Sequence, residues 1–128
     1  MDMTITPVGI IRSPLKHRDD APKQGNEGAP SAELHLDPAF ASALEGLAPG
    51  ARIILLTWLH KSDRSCLRVH PRGDVSRPIR GVFSTRSPDR PNPIGLHEVT
   101  ITAINGTLLV VTPLEAIDGT PVLDIKST

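Results

Sequence analysis

The stretch "GLHEVTITAINGTLLVVTPL", residues 95–114, joins two runs of β-branched and apolar residues through an Asn-Gly pair. Asn and Gly tolerate the positive φ angles that tight hairpin turns need, so residues 104–107 predict a β-hairpin. The runs on either side, 95–104 and 107–114, therefore predict two neighbouring antiparallel strands.

Strand-like runs also dominate the rest of the chain, with Gly, Pro, Asn or Asp clustered between them. They are "TITPVGIIR" (4–12), "AELHL" (32–36), "ARIILLTWLH" (51–60), "SCLRVH" (65–70) and "GVFST" (81–85). Residues 37–47 are the one good helix candidate, because Asp37 suits the N-cap and Pro38 the first helical position. So many short strands predict a mainly β fold: a small single-sheet β-barrel, closed or nearly closed, with one short helix.

The length and composition of the chain predict a single domain over residues 1–128. A chain of this size buries about two thirds of its unfolded surface on folding. With only three aromatic residues, its core has to be built from Ile, Leu, Val and Ala. One cysteine excludes an internal disulfide, and the chain has neither an apolar run of about 18 residues nor a signal-peptide pattern. These features predict a cytoplasmic protein with no membrane partner.

Charge is distributed unevenly, although the net charge of the chain is zero. Residues 60–90 hold eight basic and three acidic residues, a net charge of +5, and the remainder of the chain carries −5. Such an excess of arginine is either an ordinary solvated face or a local anion site for phosphate, carboxylate or RNA backbone.

Two stretches break the strand pattern. Residues 13–31 form a long polar loop, and long loops in compact domains are either functional or disordered. In "TRSPDRPNPIG", residues 85–95, each of three prolines fixes φ and biases the residue before it towards extended geometry. We therefore expect the side chains of this second segment to be held in defined directions.

Four blocks of the sequence, in order along the chain, resemble the TsaA-like (YaeB, or TrmO) family. They are "VGIIRSPLK" with "APKQG" (8–25), "LLTWLHKSDR" (55–64), "GVFSTRSPDRPNPIGLHEV" (81–99) and "IDGTPVLDIK" (117–126). The resemblance covers nearly the whole chain, and it implies a single-sheet β-barrel that binds S-adenosylmethionine and forms a homodimer. It also implies methyl transfer to tRNA, at the exocyclic amine (N6) of a threonylcarbamoyl-modified adenosine beside the anticodon.

The resemblance further implies which residues contact the cofactor, and all of them lie in loops or at predicted strand ends. They are Pro22, Lys23, Gln24, His60, Lys61, Arg86, Leu96, Ala116, Ile117, Asp118 and Gly119. Loops and barrel ends are where such folds usually place their sites.

Arg86 and Asn92 are the candidates for a role in catalysis. A guanidinium forks onto a carboxylate or phosphate, so Arg86 suits the cofactor's carboxylate or an RNA phosphate, and the alternative is an ion pair with Asp89 or another carboxylate. Asn92 stands between two prolines, so that its amide oxygen could orient the acceptor amine, or it caps a turn. Arg90 and Arg64 are the candidates for contact with RNA, although Arg90 could instead brace the loop.

Other chemistry-bearing residues allow simpler interpretations. His60 follows an apolar strand and is either a cofactor contact or a structural histidine, and Asp118-Gly119 is a turn signature whose backbone could also bind the cofactor. Cys66 is assigned no role. The five histidines lack the close His/Cys spacing of a zinc site, so no metal is expected.

Three functions remain open at this point: a methyltransferase for modified tRNA, a methyltransferase for another, small-molecule acceptor, and a binding module that uses S-adenosylmethionine without chemistry. The arginine-rich segment 60–90 favours the first. Established tRNA enzymes of the family carry a further C-terminal domain, whereas this chain ends at Thr128, which favours the second. The few aromatic residues also offer little for stacking unpaired bases.

Overall fold

Six antiparallel strands close into a barrel in the computed structural model, which describes residues 1–128. The strands of the chain are β1 (Gly9–Arg12), β2 (Ala32–Leu36), β3 (Arg52–Trp58), β4 (Arg68–Val69), β5 (Arg80–Gly81), β6 (Ile94–Asn105), β7 (Leu108–Thr112) and β8 (Pro121–Ser127). The order around the barrel is β1-β2-β7-β6-β3-β8, and β8 returns to pair with β1. The mainly β barrel expected from the sequence is confirmed.

The hairpin predicted at the Asn-Gly pair joins β6 to β7. Asn105 and Leu108 are opposite each other in the ladder, and Gly106 has a φ of 62° in the turn between them. The register of this hairpin is interrupted between Ile101 and Ala103, where one strand carries an extra residue. Such bulges bend a strand and increase its twist, which helps a small sheet to close.

The core fills the barrel with branched aliphatic side chains. On β3, Ile53, Leu55 and Thr57 point inwards and are fully buried, as the two-residue period of a strand requires. The whole cluster consists of Ile11, Ala32, Leu34, Leu36, Ile53, Leu55, Val99, Ile101, Leu109, Val111, Leu114, Ala116 and Val122, with no aromatic member. The prediction of an Ile, Leu, Val and Ala core is therefore confirmed.

The strand that closes the barrel, β8, was not predicted from its sequence. Its pairing with β3 shifts between Leu56 and Thr57, so that Val122 faces Thr57 and Asp124 faces Leu56, which leaves Leu123 as the extra residue. This irregularity breaks the alternation of apolar and polar residues by which a strand is recognised.

Other predicted elements differ from the structure. Residues 65–70 and 81–85 do not form full strands: β4 and β5 have two residues each, and they pair only with one another, outside the barrel. The first strand begins at Gly9 rather than at residue 4. The predicted helix is a 3₁₀-helix, Pro38–Leu44, in which Asp37 Oδ1 accepts a hydrogen bond from the Ala39 N–H. None of the helical segments has the length and apolar character needed to cross a membrane.

Candidate functional site

An open cleft of about 1370 Å³ lies at the end of the barrel where β3 ends and β6 begins. The polar loop 18–26, the segment 85–90 and the turn that follows β7 border it, and so does the β4–β5 ribbon. The loops that the sequence analysis singled out therefore meet at one place, although they are far apart along the chain.

Most of the predicted site residues line this cleft. They are Pro22, Lys23, Gln24, His60, Lys61, Arg86, Arg90, Leu96, Ala116 and Ile117. Gly119 lies at its border, since a Cβ atom built on Gly119 would come 3.9 Å from His60 Nε2. Asp118, Asn92 and Arg64 are not among the lining residues.

Salt bridges between loops hold the walls of the cleft together. Arg18, in the polar loop, pairs with Asp89 at 3.2 Å and also donates to the Lys61 carbonyl oxygen at 3.1 Å. Arg72, beside β4, pairs with Glu27 of the polar loop at 2.5 Å. Each pair is partly exposed and contributes little stability, but the pairs show which loops are neighbours in the wall of the cleft.

The proline-rich segment is braced from within by Arg90. Its guanidinium donates to the carbonyl oxygens of Val82, Thr85 and Ser87 at 2.8, 3.1 and 3.0 Å. Three carbonyl acceptors occupy most of the fork of this side chain. In the structure, Arg90 therefore braces the proline-rich loop.

Arg86 keeps its charge available to the cleft. The side chain is exposed and donates one long hydrogen bond, 3.3 Å, to the Leu96 carbonyl oxygen. Neither Asp89 nor any other carboxylate lies within salt-bridge distance of it. An exposed guanidinium without a carboxylate partner can still fork onto an anion.

Arg64 and Asn92 form a unit just outside the cleft. The Arg64 guanidinium lies over the Trp58 ring, 5.0 Å from its centroid. Its Nε donates to the Pro91 carbonyl oxygen at 2.8 Å, and its Nη2 donates to Asn92 Oδ1 at 3.0 Å. The direction of the Asn92 side chain is therefore set by Arg64 as well as by the flanking prolines. Its amide oxygen retains a second lone pair, and its NH2 group remains free to donate.

The turn at residues 116–119 is tied to the start of the polar loop. Asp118 Oδ1 accepts a hydrogen bond from the Ser13 N–H at 3.0 Å, and the Asp118 N–H donates to the Leu15 carbonyl oxygen. The N–H of Gly119, which has a φ of 85°, donates to the Ile11 carbonyl oxygen. The hydrogen bond from Ser13, and then the nearby Lys16, lowers the pKa of the Asp118 carboxyl. Asp118 thus shapes the turn and leaves Ala116 and Ile117 facing the cleft.

The surroundings of His60 favour the neutral form of its imidazole. Partial burial, and secondarily the charge of Lys61, lowers the pKa of its imidazole from 6.5. A neutral ring can donate one hydrogen bond and accept another without bringing a positive charge into the cleft.

A buried polar chain at the base of the cleft escaped the sequence analysis. The His97 ring, 5% exposed, contacts Glu115 Oε1 through Nδ1 in a short hydrogen bond and Thr57 Oγ1 through Nε2 at 2.7 Å. The sequence did offer a signal for His97, because it is a polar residue between Gly95 and Val99 at the inward positions of β6. It offered none for Glu115, which lies in a stretch without the alternation of a strand.

The electrostatic character of the cleft is positive. Its lining contains eight Lys or Arg residues and four Asp or Glu residues. Cys66, which donates to the Arg68 carbonyl oxygen, is not among the lining residues, and no group of three or more His, Cys, Asp or Glu side chains is arranged to hold a metal ion. The arrangement suits a ligand that combines an anionic group with a nucleoside-sized body.

Comparison with known proteins gives a matching family model, similar sequences and similar solved structures. The family model for "tRNA-methyltransferase O N-terminal domain" matches residues 10–127. A probable S-adenosyl-L-methionine-binding protein of Methanothermobacter thermautotrophicus is 48% identical, and the match covers 98% of this chain and 90% of that protein. An S-adenosyl-L-methionine-binding protein of Archaeoglobus fulgidus is 43% identical, and the match covers 97% of this chain and 88% of that protein. The solved structure of TrmO from Pseudomonas aeruginosa superposes with a TM-score of 0.80 at 34% identity. That match covers all of this chain and 56% of the solved chain, so this chain spans little more than half the length of the solved one.

Proposed function

The chain belongs to the family of the tRNA-methyltransferase O N-terminal domain, and from this premise we propose that it binds S-adenosylmethionine and transfers the methyl group to tRNA. The observation that carries the proposal is the single positive cleft that collects ten of the predicted site residues from five separate parts of the chain. A cleft on which polar and charged groups converge is the default candidate for a ligand site.

The residues that line the cleft fit the chemical groups of S-adenosylmethionine. Arg86 would bind the carboxylate, for which it has the right charge and no competing carboxylate partner. His60, neutral and beside Gly119, would hydrogen-bond the nucleoside without repelling the sulfonium charge. The backbone of Ala116 and Ile117, together with Leu96, would hold the flat, partly apolar base.

The bound cofactor supplies an electrophilic methyl group, so the protein mainly has to place the acceptor in line with it. The acceptor we propose is the exocyclic N6 of a threonylcarbamoyl-modified adenosine in tRNA. The positive lining and the arginines of residues 60–90 support an RNA acceptor through contacts to phosphate. Asn92, held by Arg64, would orient the amine, while Arg90 maintains the loop that carries it.

A different acceptor, or binding without methyl transfer, is the second candidate. The relatives of almost the same length as this chain are named for cofactor binding and not for an RNA substrate. A small-molecule acceptor would use the same cleft with fewer phosphate contacts.

We also propose that residues 1–128 act as one domain and assemble as a homodimer. Large apolar side chains remain exposed in the monomer, among them Leu67, Val75, Ile79 and Phe83, and a second copy could cover them. Light scattering at micromolar concentration should give twice the monomer mass, and a monomer that binds the cofactor would contradict this.

One labelling experiment separates the candidate functions. The purified protein is incubated with S-adenosylmethionine carrying a labelled methyl group and with total tRNA from strains with and without the threonylcarbamoyl modification, and in parallel with a small-molecule extract of the same cells. Label in the modified tRNA alone supports the proposal, whereas label in a small-molecule extract supports the other acceptor. Cofactor binding by calorimetry without transfer to either fraction would leave the binding module.

A further inference from the structure

The mostly buried carboxylate of Glu115 stands apart from the other acidic groups of the cleft. Asp89 is paired with Arg18, Glu98 is paired with Arg52, and Asp19 lies exposed in the polar loop. Glu115 contacts no cation of Lys or Arg, and its side chain is 17% exposed. It is the one carboxylate of the cleft that combines a mostly buried side chain with the absence of a Lys or Arg partner.

Glu115 is also held in a defined direction. A carboxylate can only accept, so His97 donates its Nδ1 proton to Oε1, and in the neutral ring Nε2 then accepts from the Thr57 hydroxyl. Thr57 is fully buried on β3 and His97 is nearly so on β6, which means that the rigid barrel wall orients the carboxylate. A functional group oriented by a second residue, itself held by a third, is a recurring arrangement at sites of proton transfer.

The second oxygen of Glu115 faces the loop that borders the proposed cofactor. A Cβ atom built on Gly25 would lie 3.1 Å from Glu115 Oε2, so the glycine permits this oxygen to approach the loop closely. Gly25 directly follows Pro22, Lys23 and Gln24, which also line the cleft. No group of the protein donates a hydrogen bond to Oε2, and since no fully buried side-chain oxygen is left without a partner, Oε2 reaches solvent.

We propose that Glu115 is the catalytic base of methyl transfer, with His97 and Thr57 as positioning residues. The inference rests on the proposed methyltransferase function. The lone pair of the acceptor nitrogen forms the new bond to the methyl carbon, while the carbon–sulfur bond breaks and its electron pair returns to sulfur. The nitrogen is left with one proton in excess, and Glu115 Oε2 takes it. The neutral carboxyl then gives the proton to water at the open face of the cleft.

The central variant is Glu115→Gln, whose amide oxygen can still accept from His97 Nδ1 but which cannot take a proton. We expect the single-turnover rate of methyl transfer to fall about 10²- to 10⁴-fold, the usual contribution of a general base. Calorimetry should give a cofactor dissociation constant within about threefold of the wild-type value, because an interaction made in the transition state does not change ground-state binding. Glu33→Gln is the matched control, since Glu33 also pairs with a histidine, His35, but lies on the outside of β2.

A measurement that needs no turnover tests the positioning residues. The ¹⁵N spectrum of His97 in the protein alone should have the proton on Nδ1, and Thr57→Val should change it by removing the hydroxyl donor. Thr57→Val should also lower the transfer rate with little change in cofactor affinity. A proton on Nε2 in the wild-type protein would contradict the orientation described here.

The remaining outcomes separate this inference from the proposed function. If the wild-type protein binds the cofactor but labels no acceptor, the proposed function fails, and the inference fails with it. If the wild type transfers the methyl group and Glu115→Gln does so equally well, only the inference is wrong. A Glu115→Gln protein that loses cofactor affinity and rate together would identify Glu115 as a cofactor ligand. If Glu115→Gln does not fold, the inference requires that Glu115→Asp fold and transfer the methyl group more slowly. If neither variant folds, Glu115 and His97 form a structural brace and the inference is wrong.

Discussion

Replacing Gly95 by alanine should destabilise the protein strongly, although the change adds a single methyl group. A Cβ atom at Gly95 would lie 2.6 Å from His97 Nε2 and still closer to Thr57 Oγ1, and 3.1 Å from Leu59 Cδ2. The two polar atoms are themselves hydrogen-bonded at 2.7 Å in the barrel interior, so neither can move without breaking that bond.

The expected cost has two parts. Forcing an extra methyl group into a packed core costs about 1–3 kcal/mol, and leaving a buried polar atom without a partner costs about another 1–3 kcal/mol. A loss of about 2–6 kcal/mol is a large share of the roughly 5–15 kcal/mol by which such domains are stable. For a chain of this length it corresponds to a drop in melting temperature on the order of 10 °C or more.

Urea unfolding followed by circular dichroism measures this loss. Gly81→Ala is the matched control, because the nearest atom to a Cβ there is the Leu67 carbonyl oxygen at 4.0 Å, and its stability should change little. Thr57→Ala removes one of the two clashing atoms, so the double variant should be less destabilised than the sum of the single changes. If Gly95→Ala melts within about 2 °C of the wild type, the crowded contact between β3 and β6 is not as described.

Four further changes test other parts of the structure. Arg86→Ala should weaken cofactor binding by about 1.5–3 kcal/mol, or roughly ten- to a hundredfold by calorimetry, with the melting temperature nearly unchanged because the side chain is exposed and makes one long hydrogen bond. Asn92→Ala should lower the rate of methyl transfer and leave cofactor affinity nearly unchanged, since Arg64 keeps its contacts with Pro91 and Trp58. The pKa of His60 is lowered from 6.5, so its ring stays uncharged to a more acidic pH than a free imidazole does. Cofactor affinity should therefore fall only at acidic pH, where the imidazolium forms beside the sulfonium. His60→Gln should abolish this pH dependence. Asp37→Ala removes the cap of the 3₁₀-helix and should cost about 0.5–2 kcal/mol in urea unfolding.

Each of these expectations has a clear contrary result. Equal cofactor affinity in Arg86→Ala would exclude an anion contact by that guanidinium. Loss of folding in Asn92→Ala, with affinity and rate falling together, would make the proline-rich segment a structural brace. A rise in cofactor affinity towards acidic pH would mean that charged His60 binds the cofactor, and an unchanged midpoint in Asp37→Ala would mean that the 3₁₀-helix frays without cost.

The candidate site could be located from the sequence only as a set of loops. The resemblance placed Arg86, His60 and the 22–24 segment in one site, and the structure brings these residues to one cleft. Which atoms remain free there depends on how the folded loop turns around each side chain: Arg90 donates to the carbonyl oxygens of Val82, Thr85 and Ser87, three to eight residues away, while Arg86 donates only to the Leu96 carbonyl oxygen. Two arginines four residues apart in the same loop thus differ through the folded course of that loop, which no spacing of residue types reveals.

What the sequence by itself determined is local in origin. The Asn-Gly hairpin, the alternation of β3 and the cap at Asp37 follow from backbone preferences within a few residues, and the absence of aromatic residues from the core follows from composition. The tertiary structure alone decided the closing strand β8, whose bulge hides its period, and the chain from Thr57 through His97 to Glu115. The physical reason is the same in both cases: a bulge and a buried hydrogen bond are set by the strand or side chain on the opposite side of the barrel, and no short window of sequence contains both partners.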